Sequence, residues 1–538
     1  MPFNKSVVSR VLLVSIPVLC IFVTGASPAY GQDVLTYHYN NAHNGLNSAE
    51  TTLTPSNVNS TSFGKLFTVT VDGLVDAQPL YLSAVPIRAH GTHNLLIVAT
   101  EHDSVYAFDA DTGEPIWHVR TLKNGEVPSD DRGCRLIEPE IGVTSTPVIV
   151  RPTGTNGTIY VVAMSKDSAG NYYQRLHALD AASGIEAYNG PVDISAKYPG
   201  TGDNSSGGYV IFDPAQYAER SALLVVDGVV YLSWTSHCDT RPYTGWIMGY
   251  DQTTLAQTTV LNVTPNAYKG SVWGADTGLT ADTVGNIFFL DANGIFDTTL
   301  DSNGFPSSGD YGNAFIRLST TGGLAVADYF EMYNGPTESE DDVDLGSGGA
   351  IVLPDMTDST GTTWQLAAGA GKDTNLYLVN RNSMGKYNSQ TNNIYQELPG
   401  ALPNGVWSMP AYFNGRLYYG PTGKPILAFQ FHDAKLQSTP VAETTTVYHY
   451  PGATPTISSN GSKDGIVWAV QNLNPAVLHA YKAISLEEIY NSNQASHGRD
   501  HFGDGNKFIT PVIINGKVYV GTTTGVGVFG LLSGADSK

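Results

Sequence analysis

Cysteine is scarce in this chain of 538 residues, which contains only Cys20, Cys134 and Cys238. No Cys-x-x-Cys-His segment occurs, and this excludes a domain that carries a c-type haem. Cys20 lies in an apolar stretch near the N-terminus, so removal of that stretch leaves one available pairing, Cys134 with Cys238. An oxidising compartment would permit a disulfide between them.

Basic residues are also few, with 28 Lys and Arg against 49 Asp and Glu and a formal net charge of −21. No cluster of Lys and Arg is present that could follow a phosphate backbone, which excludes nucleic acid as a partner. The only long apolar run, 11–23, is shorter than the roughly 20 residues that a membrane-spanning helix needs. The sequence therefore predicts no transmembrane segment.

The N-terminus has the pattern of a secretory signal peptide. Lys5 and Arg10 precede the apolar run 11–23, and "SPAYGQ" with its small residues follows it. This order of a basic, an apolar and a small-residue region predicts cleavage after Gly31 and an extracytoplasmic protein, either periplasmic or secreted. We expect the mature chain to comprise an N-terminal extension (32–64), one folded domain (65–532) and a short tail (533–538).

What the chain has in excess is turn and strand formers. It contains 57 Gly, 29 Pro and 30 Tyr, and only 14% of its residues are charged, which favours an all-β protein. A three-part pattern of short apolar strands, separated by turn signals such as "FNGR" and "INGK", recurs eight times. The predicted first strands of the eight units are 76–82, 144–150, 220–226, 276–282, 347–353, 407–413, 452–458 and 508–514.

Units of this size cannot bury their own faces and must stack on one another. Radial stacking of eight units predicts an eight-bladed β-propeller. The last unit has no segment left for an outer strand, whereas the strand "KLFTVTV" (65–71) precedes the first unit and has no partner there. We expect this N-terminal strand to complete the last blade and close the ring.

Ligands of a propeller are expected at one end of its central channel, where the loops leading into the first strands meet the loops joining second to third strands. Both sets of loops are unusually polar in this chain and rich in carboxylates. So many carboxylates would repel one another unless cations nearby neutralised their charge. We therefore infer a metal ion or a charged ligand at this end of the channel.

The repeats "VYAFDADTGEPIW" and "LHALDAASG", and the N-terminal segment "TLTPSNVNSTSFGKLF", resemble those of the quinoprotein alcohol dehydrogenases. This resemblance covers most of the mature chain. It implies an eight-bladed propeller that holds pyrroloquinoline quinone and a calcium or lanthanide ion.

Five residues match the functional residues of that family. Trp273 in "SVWGADTG" falls where a Trp stacks under the quinone, and Asn293 in "DANGIFD" falls where an Asn binds the metal. Asp342 matches the catalytic base, and Asp344 matches the second Asp, a metal ligand in the lanthanide forms. Lys372 matches the cationic side chain that contacts the quinone carbonyls and assists catalysis. Arg220 and Trp407, from two of the entering loops, complete the predicted cofactor-binding set.

Two features depart from the family pattern. Its adjacent Cys pair, which covers the other face of the quinone, is absent, because the corresponding loop "DRGCRLIEPEIG" contains only Cys134. The metal-binding Glu of the third blade falls near "SHCDTRPYTGW", where Asp239 could supply the carboxylate instead. A bridge from Cys134 to Cys238 would either occupy the space of the quinone or shape a different pocket.

The resemblance implies a divergent quinone- and metal-dependent dehydrogenase that oxidises an alcohol or sugar and passes electrons to a soluble acceptor. One alternative is a propeller that binds or acts on carbohydrates without quinone. The residues for that chemistry would be Glu101, His102, Glu140, His237 and Arg220. A second alternative is a non-catalytic interaction scaffold.

Overall fold

In the part of the chain that the structure describes, eight antiparallel sheets follow one another and form an eight-bladed β-propeller. The computed structural model describes residues 1–2, 32–274 and 277–533. The predicted signal peptide (1–31) lies outside the described residues apart from its first two, and the predicted tail lies outside them apart from Ser533. Among the described residues, no helix has both the length and the apolarity to cross a membrane.

Blades 1 to 4 each contain four main strands, which follow one another in chain order. Blade 1 consists of Leu80–Ile87, Gly91–Thr100, Ser104–Asp109 and Pro115–Arg120. Blade 2 consists of Val148–Val150, Thr158–Asp167, Tyr172–Asp180 and Val192–Asp193, and Glu126–Pro128 also pairs with its second strand. Blade 3 consists of Leu224–Val226, Val229–Ser233, Trp246–Asp251 and Gln257–Asn262. Blade 4 consists of Thr280–Ala281, Ile287–Leu290, Phe315–Ser319 and Ala325–Glu331, with Lys386–Tyr387 added in parallel.

Blades 5 to 8 have the same plan. Blade 5 consists of Ile351–Val352, Leu366–Gly369, Leu376–Asn380 and Gln396–Leu398. Blade 6 consists of Ala411–Phe413, Arg416–Tyr419, Leu427–His432 and Ala442–Glu443, with a short hairpin strand Lys435–Leu436. Blade 7 consists of Thr456–Asn460, Lys463–Gln471, Val477–Lys482 and Glu488–Asn491, and Leu46–Asn47 pairs in parallel with its first strand. Blade 8 consists of Val512–Ile514, Lys517–Gly521, Gly525–Leu531 and the N-terminal strand Phe63–Thr70.

A few short elements lie outside the blades. The strands are Lys197–Pro199, Ser205–Ser206 and Tyr209–Ile211 in one small sheet, Tyr217–Ala218 with Thr235–Ser236, and Met356–Thr357 with Thr363–Trp364. The helical segments are the α-helix Gly335–Glu340 and the 3-10 turns Tyr37–Tyr39, Leu345–Ser347 and Ser496–Gly498. The α-helix and the turn Leu345–Ser347 both belong to the loop that leads into blade 5.

Each first strand begins four residues later than the repeat pattern predicts, as in blade 3, where it begins at Leu224 rather than at 220. In five blades the residue directly before the strand is a proline: Pro79, Pro147, Pro410, Pro455 and Pro511. Proline has no N–H to donate to a sheet, so it marks the point where pairing starts. The first four residues of each predicted strand therefore belong to the entering loop, which frees their side chains for the channel.

The segment 34–47 contacts the first strand of every blade in turn. Its partners, from blade 1 to blade 8, are Tyr81, Ile149, Val225, Ala281, Val352, Tyr412, Ile457 and Ile513. Most of these contacts are backbone hydrogen bonds, such as the one from the Val34 N–H to the Tyr81 carbonyl at 2.8 Å. Because one short segment bonds to all eight first strands, this part of the predicted extension is an integral part of the propeller.

The core lies between neighbouring blades. Between blades 2 and 3, for example, the fully buried rings of Trp234, Trp246 and Tyr217 pack with Phe212, whose ring centroid is 5.0 Å from that of Trp234. Large aromatic side chains fill the gaps that flat sheets leave when they stack around an axis, and each buries roughly 150–250 Å². This packing fixes the positions of the loops at the channel ends.

Candidate active site

One end of the central channel holds a cavity of about 200 Å³. The residues predicted to bind the cofactor or cation or to catalyse all line it: Arg220, Asp239, Trp273, Asn293, Asp342, Asp344, Lys372 and Trp407. They come from the two sets of loops that converge in a propeller, those leading into first strands and those joining second to third strands. The structure thus brings together side chains that lie up to 187 positions apart in the sequence, from Arg220 to Trp407.

An acidic cluster forms one side of the cavity. The Lys372 ammonium lies 2.5 Å from Asp342 Oδ1 and 2.8 Å from Asp344 Oδ1, so it bridges the two carboxylates. The Asn293 amide also donates to Asp342 Oδ1, at 2.5 Å. The Asp344 side chain is 3% exposed and that of Asp342 is 69% exposed, so only Asp342 is open to a substrate entering from solvent.

The two carboxyl groups of this cluster have opposite pKa shifts. Burial raises the pKa of Asp344 above its ordinary value, and Lys372 offsets only part of that effect. Burial also acts to raise the pKa of Asp342, but hydrogen bonds from Lys372 and Asn293 outweigh it, and the net pKa is below the ordinary value. Asp342 is therefore ionised at neutral pH and available as a proton acceptor.

Asp239, predicted to bind a metal ion, has other partners. The Lys269 ammonium contacts Asp239 Oδ2, and the hydroxyl of the fully buried Tyr243 donates to Asp239 Oδ1. Both carboxylate oxygens are thus engaged by groups of the protein. In the rest of the predicted metal set, Asp344 Oδ1 forms an ion pair with Lys372. Asn293 Oδ1 is a buried acceptor with no hydrogen-bond donor among the described residues.

A second group of lining residues is aromatic and cationic. The Arg220 guanidinium lies 6.0 Å from the centroid of the Trp273 ring and 5.0 Å from that of Phe508. Arg220 is 8% exposed, and Lys507 adds a second positive charge to the same wall. At the rim, Trp407 packs edge-on against the exposed ring of Tyr450, with centroids 5.8 Å apart. The cavity lining therefore combines an acidic cluster with a group of cationic and aromatic side chains.

Three of the residues with the strongest claim to function have left-handed backbone conformations. Asp239 has φ 56°, Lys269 has φ 61° and Asp342 has φ 59°. This region costs a non-glycine residue about 1–3 kcal/mol, and such residues are concentrated at functional sites. The surrounding contacts hold these side chains where the local chain preference would not place them.

Sequence reasoning missed Lys507 and Phe508 in the cavity lining, and it missed Lys269, which contacts Asp239. For Phe508 a signal was available, because it occupies the first position of the repeat 508–514, the position that Arg220 and Trp407 occupy in their own repeats. Nothing in the sequence pattern marks Lys269, whose contact with Asp239 depends on the packing of two separate loops.

Four of the five residues considered for carbohydrate chemistry lie outside the lining of this cavity, and Arg220 is the exception. Glu101 is fully buried, and burial raises its pKa well above the ordinary value. His237 is also buried, and burial lowers its pKa to about 4. His102 and Glu140 pair with each other at 2.6 Å, part-buried. Apart from Arg220, the residues of that alternative are thus not placed to act on a ligand in this cavity.

A disulfide joins Cys134 to Cys238, with their Cα atoms 5.4 Å apart. It ties the loop that carries Leu136, part of the cavity wall, to the loop that carries Asp239. The bridge closes a loop of 104 residues, and cross-links of that size restrict the unfolded chain strongly.

Replacing both cysteines by serine is expected to lower the free energy of unfolding by about 2–5 kcal/mol. The measurement is chemical denaturation of the double variant beside the wild-type protein, with the reduced wild-type as a control that should match the variant. Equal midpoints for the oxidised wild-type and the variant would contradict a stabilising role for the bridge.

No protein-family model matches the chain, and no curated protein matches it. Solved structures do match. The quinohemoprotein alcohol dehydrogenase of Comamonas testosteroni is 14% identical, with a TM-score of 0.59 over 94% of this chain and 81% of that one. A quinohemoprotein alcohol dehydrogenase of Pseudomonas putida HK5 is 12% identical, with a TM-score of 0.61 over 93% and 80%. A europium-containing methanol dehydrogenase is 13% identical, with a TM-score of 0.60 over 93% and 98%.

At these identities the likeness establishes the fold. The resemblance predicted from the sequence is confirmed at that level, and the chain is an eight-bladed propeller of the quinoprotein alcohol dehydrogenase type.

Proposed function

We propose that this chain is a quinone-dependent dehydrogenase that oxidises an alcohol or a sugar, with pyrroloquinoline quinone as its cofactor. The observation that carries the proposal is the composition of a single cavity. Its lining combines an aromatic ring and two cations with an ionised carboxylate beside an ammonium. This is the arrangement that a planar anionic oxidant and an alcohol substrate would need.

The residues present fit the quinone. Pyrroloquinoline quinone is a planar tricarboxylate, and the Trp273 ring offers it a stacking face. The Arg220 guanidinium, 6.0 Å from the Trp273 centroid, and Lys507 are placed to pair with carboxylates of such a ligand. Lys372 also lines the cavity, and its ammonium would donate to the quinone oxygens. Neither cysteine of the disulfide is part of this lining, although the bridge ties together the loops that carry Leu136 and Asp239.

The residues present do not complete a metal site. Asn293 Oδ1 and Asp344 are suitable donors for calcium or a lanthanide, because hard cations prefer oxygen ligands. Asp239, the third donor of the predicted set, is engaged by Lys269 and Tyr243. Among the described residues, no three His, Cys, Asp or Glu side chains are grouped so as to hold a metal ion. The proposed chemistry is therefore derived without a metal ion.

Asp342 is the proposed base. It is exposed to the cavity mouth and ionised, and an alcohol hydroxyl placed beside it would donate its proton to the free carboxylate oxygen. Lys372 and Asn293 hold the other oxygen and so fix the orientation of the carboxylate. The quinone, when bound, supplies the acceptor for the two electrons that leave the substrate carbon. Electrons would then pass to a soluble acceptor, and the predicted signal peptide supports an extracytoplasmic location.

The proposal is tested by adding pyrroloquinoline quinone to the purified mature protein, with EDTA, calcium or lanthanum in parallel. We expect stoichiometric uptake, followed by quinone absorbance, and dye reduction with at least one member of a panel of alcohols and sugars. Replacing Trp273 by Ala should weaken quinone binding by about 1–2 kcal/mol, roughly 5–30-fold, because the stacking face is lost. Trp364, which lies in a surface hairpin, provides the matched control variant.

Absence of uptake under all three conditions would reject the proposal. One observation then favours the carbohydrate alternative, the edge-to-face pair of Trp407 and the exposed Tyr450 at the cavity rim. Exposed aromatic rings of this kind present flat apolar faces to which sugar rings bind. Binding of oligosaccharides by the quinone-free protein, abolished in a Tyr450→Ala variant, would establish that function.

A further inference from the structure

Lys269 lies at the place where the predicted metal site is incomplete. We propose that its ammonium is a resident cation that holds Asp239 of the cavity wall and thereby takes from a metal ion its third oxygen donor. The inference concerns the cavity of the proposed function, but it rests on contacts among the protein's own side chains and is tested by the binding of metal ions alone.

The backbone of Lys269 is fixed on both sides. Its N–H donates to the Tyr243 carbonyl at 2.7 Å, and its carbonyl accepts a hydrogen bond from the Thr264 hydroxyl at 2.5 Å. The next residue, Gly270, donates to the carbonyl of Asn293 at 2.6 Å. These bonds hold Lys269 in its left-handed conformation directly beside the loop that carries Asn293. The backbone that carries the Lys269 side chain is therefore fixed by hydrogen bonds on both sides.

Asp239 is held by the same arrangement. The backbone carbonyl of Tyr243 accepts from Lys269, while the hydroxyl of Tyr243 donates to one oxygen of Asp239. The Lys269 ammonium contacts the other oxygen. Both groups that engage Asp239 are thus bonded to each other through the backbone, and Asp239 cannot turn toward Asn293 without breaking one of these contacts.

The formal charges of the acidic cluster lead to the same expectation. Within this cluster, apart from Arg220 and Lys507 elsewhere in the lining, the carboxylates of Asp239, Asp342 and Asp344 contact the ammonium groups of Lys269 and Lys372, which gives −3 + 2 = −1. Removing the Lys269 charge would leave −2 and free one carboxylate. Both changes favour a bound cation, and a unit charge within several ångströms at a half-exposed site is worth roughly tenfold or more in affinity.

The experiment measures terbium binding to the mature protein without quinone, by luminescence sensitised through nearby tryptophans. Four variants are compared with the wild-type: Lys269→Met, Lys269→Arg, Lys269→Met with Asp239→Asn, and Lys463→Met as a control at an exposed lysine. Circular dichroism and thermal midpoints verify that each variant is folded. If Lys269→Met fails to fold, Lys269→Gln replaces it, because it also removes the charge while keeping a polar end.

We expect Lys269→Met to bind terbium at least about tenfold more tightly than the wild-type. Lys269→Arg and Lys463→Met should bind like the wild-type, and Asp239→Asn should cancel the gain. A wild-type affinity equal to that of Lys269→Met would overturn the inference, and so would a gain that persists in the Asp239→Asn background. Quinone uptake is measured in a separate experiment. If the proposed function fails, the terbium result still tests the role of Lys269.

Discussion

Replacing Asp342 by Asn is expected to abolish quinone-dependent turnover while leaving the protein folded and able to bind the quinone. The amide cannot accept the hydroxyl proton of the substrate, and loss of a positioned general base typically costs about 10²–10⁴-fold in rate. Asp342 is 69% exposed, so its replacement removes little packing. The measurement is the initial rate of dye reduction in the reconstituted enzyme, with quinone uptake measured on the same samples.

The neighbouring Asp341 supplies the matched control. It is also exposed and carries the same charge, but it does not line the cavity. Asp341→Asn should therefore keep wild-type turnover, which separates the role of Asp342 from the general effect of removing a negative charge. Turnover of Asp342→Asn at the wild-type rate, with normal quinone uptake, would sink the assignment of the base.

The same carboxylate sets the expected dependence of rate on pH. Lys372 and Asn293 hold the pKa of Asp342 below the ordinary value for Asp, so the base remains ionised through neutral and mildly acidic solution. A loss of rate on acidification is thus expected only below the usual range of a carboxyl group, provided that the fold persists.

Acid is expected to destabilise the propeller through two histidines in the segment 34–47. His38 and His43 are fully buried, and their rings contact Tyr37 with centroids 4.7 and 5.2 Å away. Burial lowers the pKa of each to about 3, and for His43 the charge of His38 acts in the same direction. Both side chains are therefore neutral in the folded protein.

The direction in which stability changes with pH follows from the difference in proton binding between the folded and the unfolded chain. Above about pH 6.5 both histidines are neutral in the folded and the unfolded chain, and they contribute no dependence on pH. Between pH 6.5 and 3 the unfolded chain binds protons that the folded chain does not, so stability falls as pH falls. Each histidine lowers the free energy of unfolding by about 1.4 kcal/mol per pH unit. The pair therefore lowers it by on the order of 5 kcal/mol between pH 6.5 and 4.5.

The measurement is the free energy of unfolding by denaturant at several pH values, for the wild-type and for a variant with His38→Asn and His43→Asn. The variant is expected to be less stable at neutral pH, but its stability should decline much less on acidification. His501→Asn, at an exposed histidine, should keep the wild-type slope. An unchanged slope in the double variant would show that the two histidines do not govern acid stability.

The two histidines lie in the segment that connects the first strands of all eight blades. Residues 34–47 bond to the first strand of all eight blades, and the loops that lead into those strands carry Arg220, Trp407 and Phe508 into the cavity. Protonation of His38 or His43 would introduce a charge into a fully buried part of this segment. Loss of the segment would therefore disturb the cavity as well as the fold.

The sequence by itself determined the number of blades and the class of loop on which each functional residue lies. Strand alternation and turn residues are local signals, and eight copies of them predict eight sheets without knowledge of any long-range contact. The same repeats place Asn293, Asp239 and Lys372 between second and third strands, so their convergence at one end of the channel follows from topology. The pairing of Cys134 with Cys238 followed from the absence of any other partner.

Only the tertiary structure decided how these residues interact. The sequence marked Asp239 as a metal ligand, but its partner is Lys269, which reaches it from a loop that packs beside Asn293. The sequence treated 32–64 as an extension, but hydrogen bonds to strands as distant as Ile513 make part of it a structural element of the propeller. Local patterns carry no record of such contacts, because the free energy of an ion pair or a buried histidine depends on groups that only folding brings together.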